Sequence, residues 1–192
     1  KINSNKYSFK AEKINLKSLS SEKFKTDGKS IRGSIMIVGP LLARFGVASI
    51  PRPGGDKIGR RRLDTHFGGL IKLGAEFRYD KESRFYSVRA KKLVGTYILM
   101  EEASVTGTAN IIMAASLAKG ETTIYNAACE PYIQQLCKLL ILMGAKISGL
   151  GSNLLKIHGV EILGGANHRV LPDMIEIGSW IGLAAMTKSN IR

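Results

Sequence analysis

The sequence predicts an α/β fold of repeated units, each reading helix, strand, helix, strand, strand, with helices inside and sheets outside. Three observations predict it. Leu73-Gly74-Ala75-Glu76-Phe77 recurs as Met143-Gly144-Ala145-Lys146-Ile147, 70 residues later, and Ala115-Ser116-Leu117-Ala118-Lys119 recurs in outline at the same interval as Ala185-Met186-Thr187-Lys188-Ser189. Residues 35–45, 109–118 and 180–186 carry few charges on any face, the pattern of helices buried on all sides. The intervening strands alternate apolar with charged residues, so one sheet face is wet. Ordinary core helices would show the same polarity, and the two arrangements are not separated at this level.

Residues 1–32 are the most polar part, with nine Lys or Arg against three acids. Tyr7, Phe9 and Ala11 alternate with polar neighbours and predict a half-buried strand whose lysines keep its edge soluble. Residues 35–45 predict a helix bent at Pro40 and closed by Gly46. A strand at 47–50 leads into a loop with two prolines and three glycines, in which Arg52, Lys57, Arg60, Arg61 and Arg62 surround Asp56. One carboxylate among guanidinium groups suits an anionic substrate that needs a proton moved, although a solvated basic turn would read the same way. Asp64 is the expected N-cap of a helix over 65–73. Residues 76–79 and 85–90 form a hairpin around a polar turn, and a strand lies near 96–100.

The segment Ser104-Val105-Thr106-Gly107-Thr108 is expected to cap a helix over 109–118. A strand at 122–125 follows, then a helix opened by Glu130-Pro131, with proline where its missing donor costs nothing. Strands near 147 and at 154–158 flank a glycine turn, and Pro172-Asp173 begins a last helix over 174–186. Gly46 to Gly74 spans four residues more than Gly120 to Gly144, and the excess falls in the Asp56 loop. The chain starts in the tail of one unit and stops inside another, so it is expected to be a piece of a longer polypeptide.

The chain has 192 residues, 44% of them hydrophobic, enough for one or two packed domains. Its 29 Lys and Arg against 15 Asp and Glu favour anionic partners: nucleic acid, an acidic membrane or phosphorylated small molecules. Cys129 and Cys137 lie eight apart in one expected helix, cannot pair there and have no metal-ligand pattern around them, which fits a reducing, cytoplasmic compartment. No apolar run reaches membrane-span length and no signal-peptide h-region is present.

Several stretches together resemble the UDP-N-acetylglucosamine 1-carboxyvinyltransferase family of enolpyruvyl transferases. They are Arg32-Gly33-Ser34-Ile35, the run from Gly39-Pro40 to Phe45-Gly46, Pro53-Gly54-Gly55-Asp56-Lys57-Ile58-Gly59, Asp64-Thr65-His66, Asn126-Ala127-Ala128, Glu130-Pro131, Met143–Gly149 and Pro172-Asp173-Met174-Ile175-Glu176. The resemblance implies an inside-out α/β barrel of repeated βαβαββ units, here partial. It implies residues 1–171 as part of a first, loop-bearing domain and 172–192 as the start of the segment leading into a second. It implies transfer of enolpyruvyl from phosphoenolpyruvate to the 3-hydroxyl of UDP-N-acetylglucosamine, with no cofactor or metal, no nucleic-acid or membrane partner, and the remainder of the same polypeptide completing the site.

Position by position, the resemblance puts Asp56 where most members carry a loop cysteine, as catalytic acid/base. Arg32 and Arg61 fall on arginines that face phosphate-bearing substrates. Arg61, Arg62, Leu63, Asp64 and Thr65 fall on the uridine-binding segment, with Arg62 in place of Pro and Thr65 in place of Leu. Glu102, Ala103, Ser104 and Val105 fall on the segment holding the nucleotide diphosphate, with Glu102 in place of Lys. His66 is expected to be structural, and His158 and His168 to be surface or turn residues. The family's Lys-Asn pair and the second domain's charged residues fall outside the match, so the piece alone is expected to be inactive. The rivals are an enzyme acting on shikimate 3-phosphate, against which the 53–59 loop argues, and a basic nucleic-acid-binding module, for which no aromatic stacking platform is legible.

Overall fold

The computed structural model describes residues 5–55, 59 and 62–191. After a short 3-10 helix (Leu16–Ser20) and α1 (Glu22–Ser30) comes a first unit: a second 3-10 helix (Arg32–Ile37), α2 (Val38–Phe45), β1 (Val47–Pro51), α3 (Asp64–Lys72), β2 (Glu76–Asp80) and β3 (Phe85–Arg89). The second unit runs β4 (Tyr97–Leu99), α4 (Val105–Ala115), β5 (Glu121–Tyr125), α5 (Pro131–Leu142), β6 (Lys146–Ser148) and β7 (Leu154–His158), and α6 (Met174–Thr187) follows.

Each unit folds its strands the same way. The first sheet has the order β1-β3-β2, antiparallel throughout, and the second has β4-β5-β7-β6, in which β5, β7 and β6 repeat that arrangement and β4 adds a parallel strand. Strand alternation then sends Ala48, Ile50 and Val88 of the first sheet, and Ile98, Ile124, Leu155 and Ile157 of the second, into the core. The helices lie on that side. Central among them is α4, with Ile111, Ile112, Ala114 and Ala115 wholly buried against α2, α3 and α5. Each such isoleucine contributes about 1.5–3 kcal/mol by leaving water.

The 70-residue repeat reappears as hydrogen bonds. Gly74 and Gly144 both sit at left-handed φ (+98° and +105°), which ends α3 and α5 where only glycine is unstrained. Gly74 N–H donates to the Ile71 carbonyl and Ala75 N–H to that of Leu70; Gly144 and Ala145 do the same to Ile141 and Leu140. Val94 N–H then donates to the Leu73 carbonyl at 2.9 Å, and Gly164 N–H to that of Met143 at 2.7 Å.

Some expectations are corrected. Residues 7–11 form no strand, and Phe9 is 91% exposed, because no described strand pairs with them and alternation alone does not make a sheet. The polar stretch instead folds locally as α1, capped by the Ser21 hydroxyl accepting from Phe24 N–H. Pro40 bends nothing: the segment is a 3-10 helix followed by α2, and Pro40 sits in the first turn of α2, where its missing donor is not needed. Asp64 is not the cap of α3 but its first residue, the cap position being Leu63 without a side-chain bond. The fourth helix begins at Val105, four residues earlier than expected, because Ser104 caps it directly. The apolar stretch 180–186 is not buried on all sides: Trp180 is 54% and Met186 86% exposed, and in α6 only Ala184 is buried. Its flanks have too few described neighbours to cover them.

Candidate functional site

Among the described residues, those singled out by sequence (Arg32, 62–65 and 102–105) gather where α3 and α4 begin. Beyond β1 the chain turns away with Arg52 N–H donating to the Arg84 carbonyl at 2.9 Å. Gly54 then lies so close to the Lys29 carbonyl that a Cβ there would overlap it, so this position needs glycine. Gly55 passes beside the backbone of Arg32. The base of the loop is thereby tied to the start of the second 3-10 helix. Asp56 and Arg61 lie outside the described residues.

Arg32 Nη2 donates to the Arg62 carbonyl at 2.9 Å. The Arg62 guanidinium reaches two carboxylates, Nε to Asp64 Oδ2 at 2.8 Å and Nη2 to Glu101 Oε2 at 3.4 Å. The hydrogen bond to Asp64, then its charge, holds the guanidinium still more firmly protonated, and Glu101 and Glu102 add to the effect. Arg32, Arg62 and Asp64 are therefore brought together, with Leu63 half-buried between them. Tyr86 is next to this group: burial raises its phenol above the ordinary range, and Arg52, Asp64 and Arg32 all act on it.

Across from them, Ser104 Oγ accepts from Gly107 N–H at 3.1 Å and Thr108 N–H donates to the Ser104 carbonyl at 2.8 Å, closing the first turn of α4. A side chain at Gly107 would press on both Ser104 Oγ and Thr65 Oγ1, so the two hydroxyls face the same small space. Glu102 and Ala103 stay exposed, and Val105 is half-buried. Met100, just before Glu101, is held by Asn126 Nδ2 donating to its carbonyl at 3.0 Å and by the Thr108 hydroxyl donating to its sulfur at 3.3 Å. The strip 101–105 is thus fixed at both ends.

Under the site runs a network that sequence reading did not foresee. Asn110 Nδ2 donates to the Ile35 carbonyl at 2.9 Å, and Asn110 Oδ1 accepts from Gly39 N–H at 2.9 Å. The same amide nitrogen lies 2.8 Å from His66 Nδ1, which must therefore accept, leaving the ring proton on Nε2, 3.2 Å from Thr106 Oγ1. Burial, then the Arg32 charge, pushes the His66 pKa down to about 4, so the ring is neutral. His66 is buried with both ring nitrogens in hydrogen-bond contact, which suits the structural part expected of it. The signal that could have found its partner was an asparagine within an otherwise apolar helix. His158 is a surface residue, as expected, and its Nε2 lies 2.8 Å from Glu121; Cys129 and Cys137 do not share a helix, since Cys129 is exposed just before α5 while Cys137 is buried within it.

Chemically, the arrangement offers guanidinium groups, two hydroxyls and a helix N-terminus on one open surface, which suits a ligand with phosphates. A separate recess of ≈ 290 Å³ lined by Leu16, Leu19, Val47 and Ser49 shares no residue with it and is mostly apolar. No helix among the described residues is long and apolar enough to cross a membrane.

The family model of EPSP synthase (3-phosphoshikimate 1-carboxyvinyltransferase) matches residues 4–192. The UDP-N-acetylglucosamine 1-carboxyvinyltransferase of Bacteroides thetaiotaomicron is 66% identical over 185 residues, 96% of this chain and 43% of the relative. That of Porphyromonas gingivalis is 60% identical over 183 residues, 95% of this chain and 42% of the relative. The chain thus spans less than half the length of these curated relatives. Among solved structures, the enolpyruvyl transferase NikO from Streptomyces tendae superposes with a TM-score of 0.65 at 20% identity, covering 79% of this chain and 36% of its own. EPSP synthase from Acinetobacter baumannii gives 0.57 at 21% identity, covering 73% of this chain and 31% of its own. These two likenesses concern the fold: the inside-out arrangement of helices and sheets is common to all three.

Proposed function

Because the chain belongs to the EPSP synthase family of enolpyruvyl transferases, we propose that it is the loop-bearing part of a UDP-N-acetylglucosamine 1-carboxyvinyltransferase acting in peptidoglycan synthesis. The observation that carries this reading is the 60–66% identity, over almost the whole chain, to relatives of that name. Residues 1–171 form part of the first domain, residues 172–192 lead towards a second, and the enzyme works in the cytoplasm. The substrates are phosphoenolpyruvate and UDP-N-acetylglucosamine.

The reaction adds the sugar 3-hydroxyl oxygen to C2 of phosphoenolpyruvate while a proton goes to the methylene carbon. The C2–O bond to phosphate then breaks and a proton leaves the new methyl group. Asp56 is the acid/base. A free Asp titrates at about 3.9, and Arg52, Arg60, Arg61 and Arg62 flank Asp56 in the sequence, so the carboxyl becomes competent as a proton donor only after bound phosphate offsets their charge. Arg32 and Arg61 face the phosphates. Arg61, Arg62, Leu63, Asp64 and Thr65 form the uridine strip, at whose edge the Arg62 guanidinium reaches towards the diphosphate, and Glu102, Ala103, Ser104 and Val105 border that diphosphate, with Ser104 and the first-turn N–H groups of α4 as its donors.

The test is phosphate release by a polypeptide of the relatives' length carrying this sequence, with phosphoenolpyruvate and either UDP-N-acetylglucosamine or shikimate 3-phosphate as acceptor. Turnover is expected only with the nucleotide sugar; turnover with shikimate 3-phosphate alone overturns the proposal. The 192-residue piece should release no phosphate, since it supplies one wall of the cleft.

A further inference from the structure

We infer that Glu101 is a competitor built into the site: its carboxylate occupies Arg62 until the diphosphate of a nucleotide sugar takes its place. The inference rests on the function proposed above and concerns the regulation of that same site.

Three observations carry it. Glu101 and Glu102 place two carboxylates three and two residues before Ser104, the cap of α4. Acids there suit the positive end of a helix but repel a diphosphate bound at the same end. Among the described residues, Arg62 is the cation whose ion pairs reach this strip. Its two pairs are unequal: Asp64 is held at 2.8 Å through Nε, whereas Glu101 stands at 3.4 Å from Nη2 with 77% of its side chain exposed. The Asp64 contact is the orienting half and the Glu101 contact the exchangeable half.

The exchange needs no refolding. Arg32 holds the Arg62 carbonyl, so the backbone stays put while the guanidinium changes partner. A guanidinium has five N–H donors, of which these two contacts engage one each, so a diphosphate oxygen can be accepted without releasing Asp64. Glu101, freed, swings into solvent. Affinity for the diphosphate is therefore lower than the arginine alone would give, and ligands without phosphate gain nothing from displacing the pair.

The experiment uses the polypeptide of the relatives' length and calorimetric titration with UDP-N-acetylglucosamine, UDP and uridine. Glu101→Gln should tighten binding of both diphosphates about threefold and leave uridine unchanged. Arg62→Ala should weaken both diphosphates about tenfold, and in that background Glu101→Gln should give no gain. Arg62→Lys, which keeps the charge, should retain part of the response. An equal gain from Glu101→Gln with and without Arg62 would show simple repulsion and overturn the inference, as would no gain at all. If the folded wild type binds uridine and the diphosphates equally, or none of them, the underlying function falls and this inference with it. Normal UDP-N-acetylglucosamine binding with an inert Glu101→Gln removes the inference alone.

Discussion

The Asn110 amide nitrogen and His66 Nδ1 stand 2.8 Å apart in the interior, and this contact fixes which nitrogen of the ring carries the proton. Protonating Nδ1 would set two donors against each other, so the neutral ring belongs to the fold. The folded pKa of about 4 lies below the ordinary 6.5. Between those values the unfolded chain binds more protons, so stability is fully present above about pH 6.5 and falls as pH drops towards 4. About 3 kcal/mol is at stake. Urea unfolding across this window should show the slope in the wild type and lose most of it in His66→Gln.

Asn110→Ala should destabilise the chain by about 2–4 kcal/mol, because Gly39 N–H and the Ile35 carbonyl are left buried without partners. Thermal unfolding measures it. A change within about 0.5 kcal/mol would mean that water replaces the amide.

Gly39→Ala would press a methyl group onto the Asn110 backbone carbonyl, where neither helix has slack, and should cost about 1–3 kcal/mol. Gly33→Ala meets nothing within 4 Å and serves as the control, expected to stay within about 0.5 kcal/mol of the wild type. Equal effects of the two would deny the close approach of α2 and α4.

Trp180 is the chain's single tryptophan and is more than half exposed on an apolar helix. Dilute 192-residue protein should therefore show red-shifted emission that acrylamide quenches. Raising the concentration should shift the emission to the blue as copies associate through α6. Blue, unquenched emission at the lowest concentrations would place the residue inside.

The resemblance puts Asp56 where most family members carry a cysteine that the epoxide fosfomycin alkylates. A carboxylate is a weaker nucleophile than a thiolate, so the polypeptide of the relatives' length should resist the drug. Asp56→Cys should create sensitivity. Mass spectrometry after incubation with drug and nucleotide sugar decides: a stoichiometric adduct on Asp56 with loss of activity would defeat the prediction.

Periodicity and glycine placement made the elements of the second unit legible, because Gly144 and Pro131 act on the backbone locally, but α4 starts four residues before its expected place because Ser104 alone, and not the stretch 104–108, caps it. The repeat was legible too, since closing a helix end in the same way twice requires the same residues twice. Residues 7–11 were misread because pairing depends on a partner strand, which alternation does not report. Asp64 was misread as a cap because Arg62, two residues away, competes for its carboxylate. Arg32, Arg62 and Asp64 could be named from motifs, yet their bond to one another, and the link to Glu101 39 residues away, comes only from folding. Asn110 escaped notice because its three partners come from two distant segments, Ile35 and Gly39 from one and His66 from another.

The carbonyls that end α3 and α5 have a timing implication. Leu73 waits for the N–H of Val94, 21 residues further on, and Met143 waits for Gly164, again 21 residues further on. During synthesis each helix end is therefore sealed by the strip of chain that starts the next unit. The units are stitched rather than strung, and a nascent polypeptide halted at residue 93 would hold a first unit whose last stitch is missing. Ribosome-bound chains stopped before and after that point should differ in protease resistance by more than one residue of length would explain.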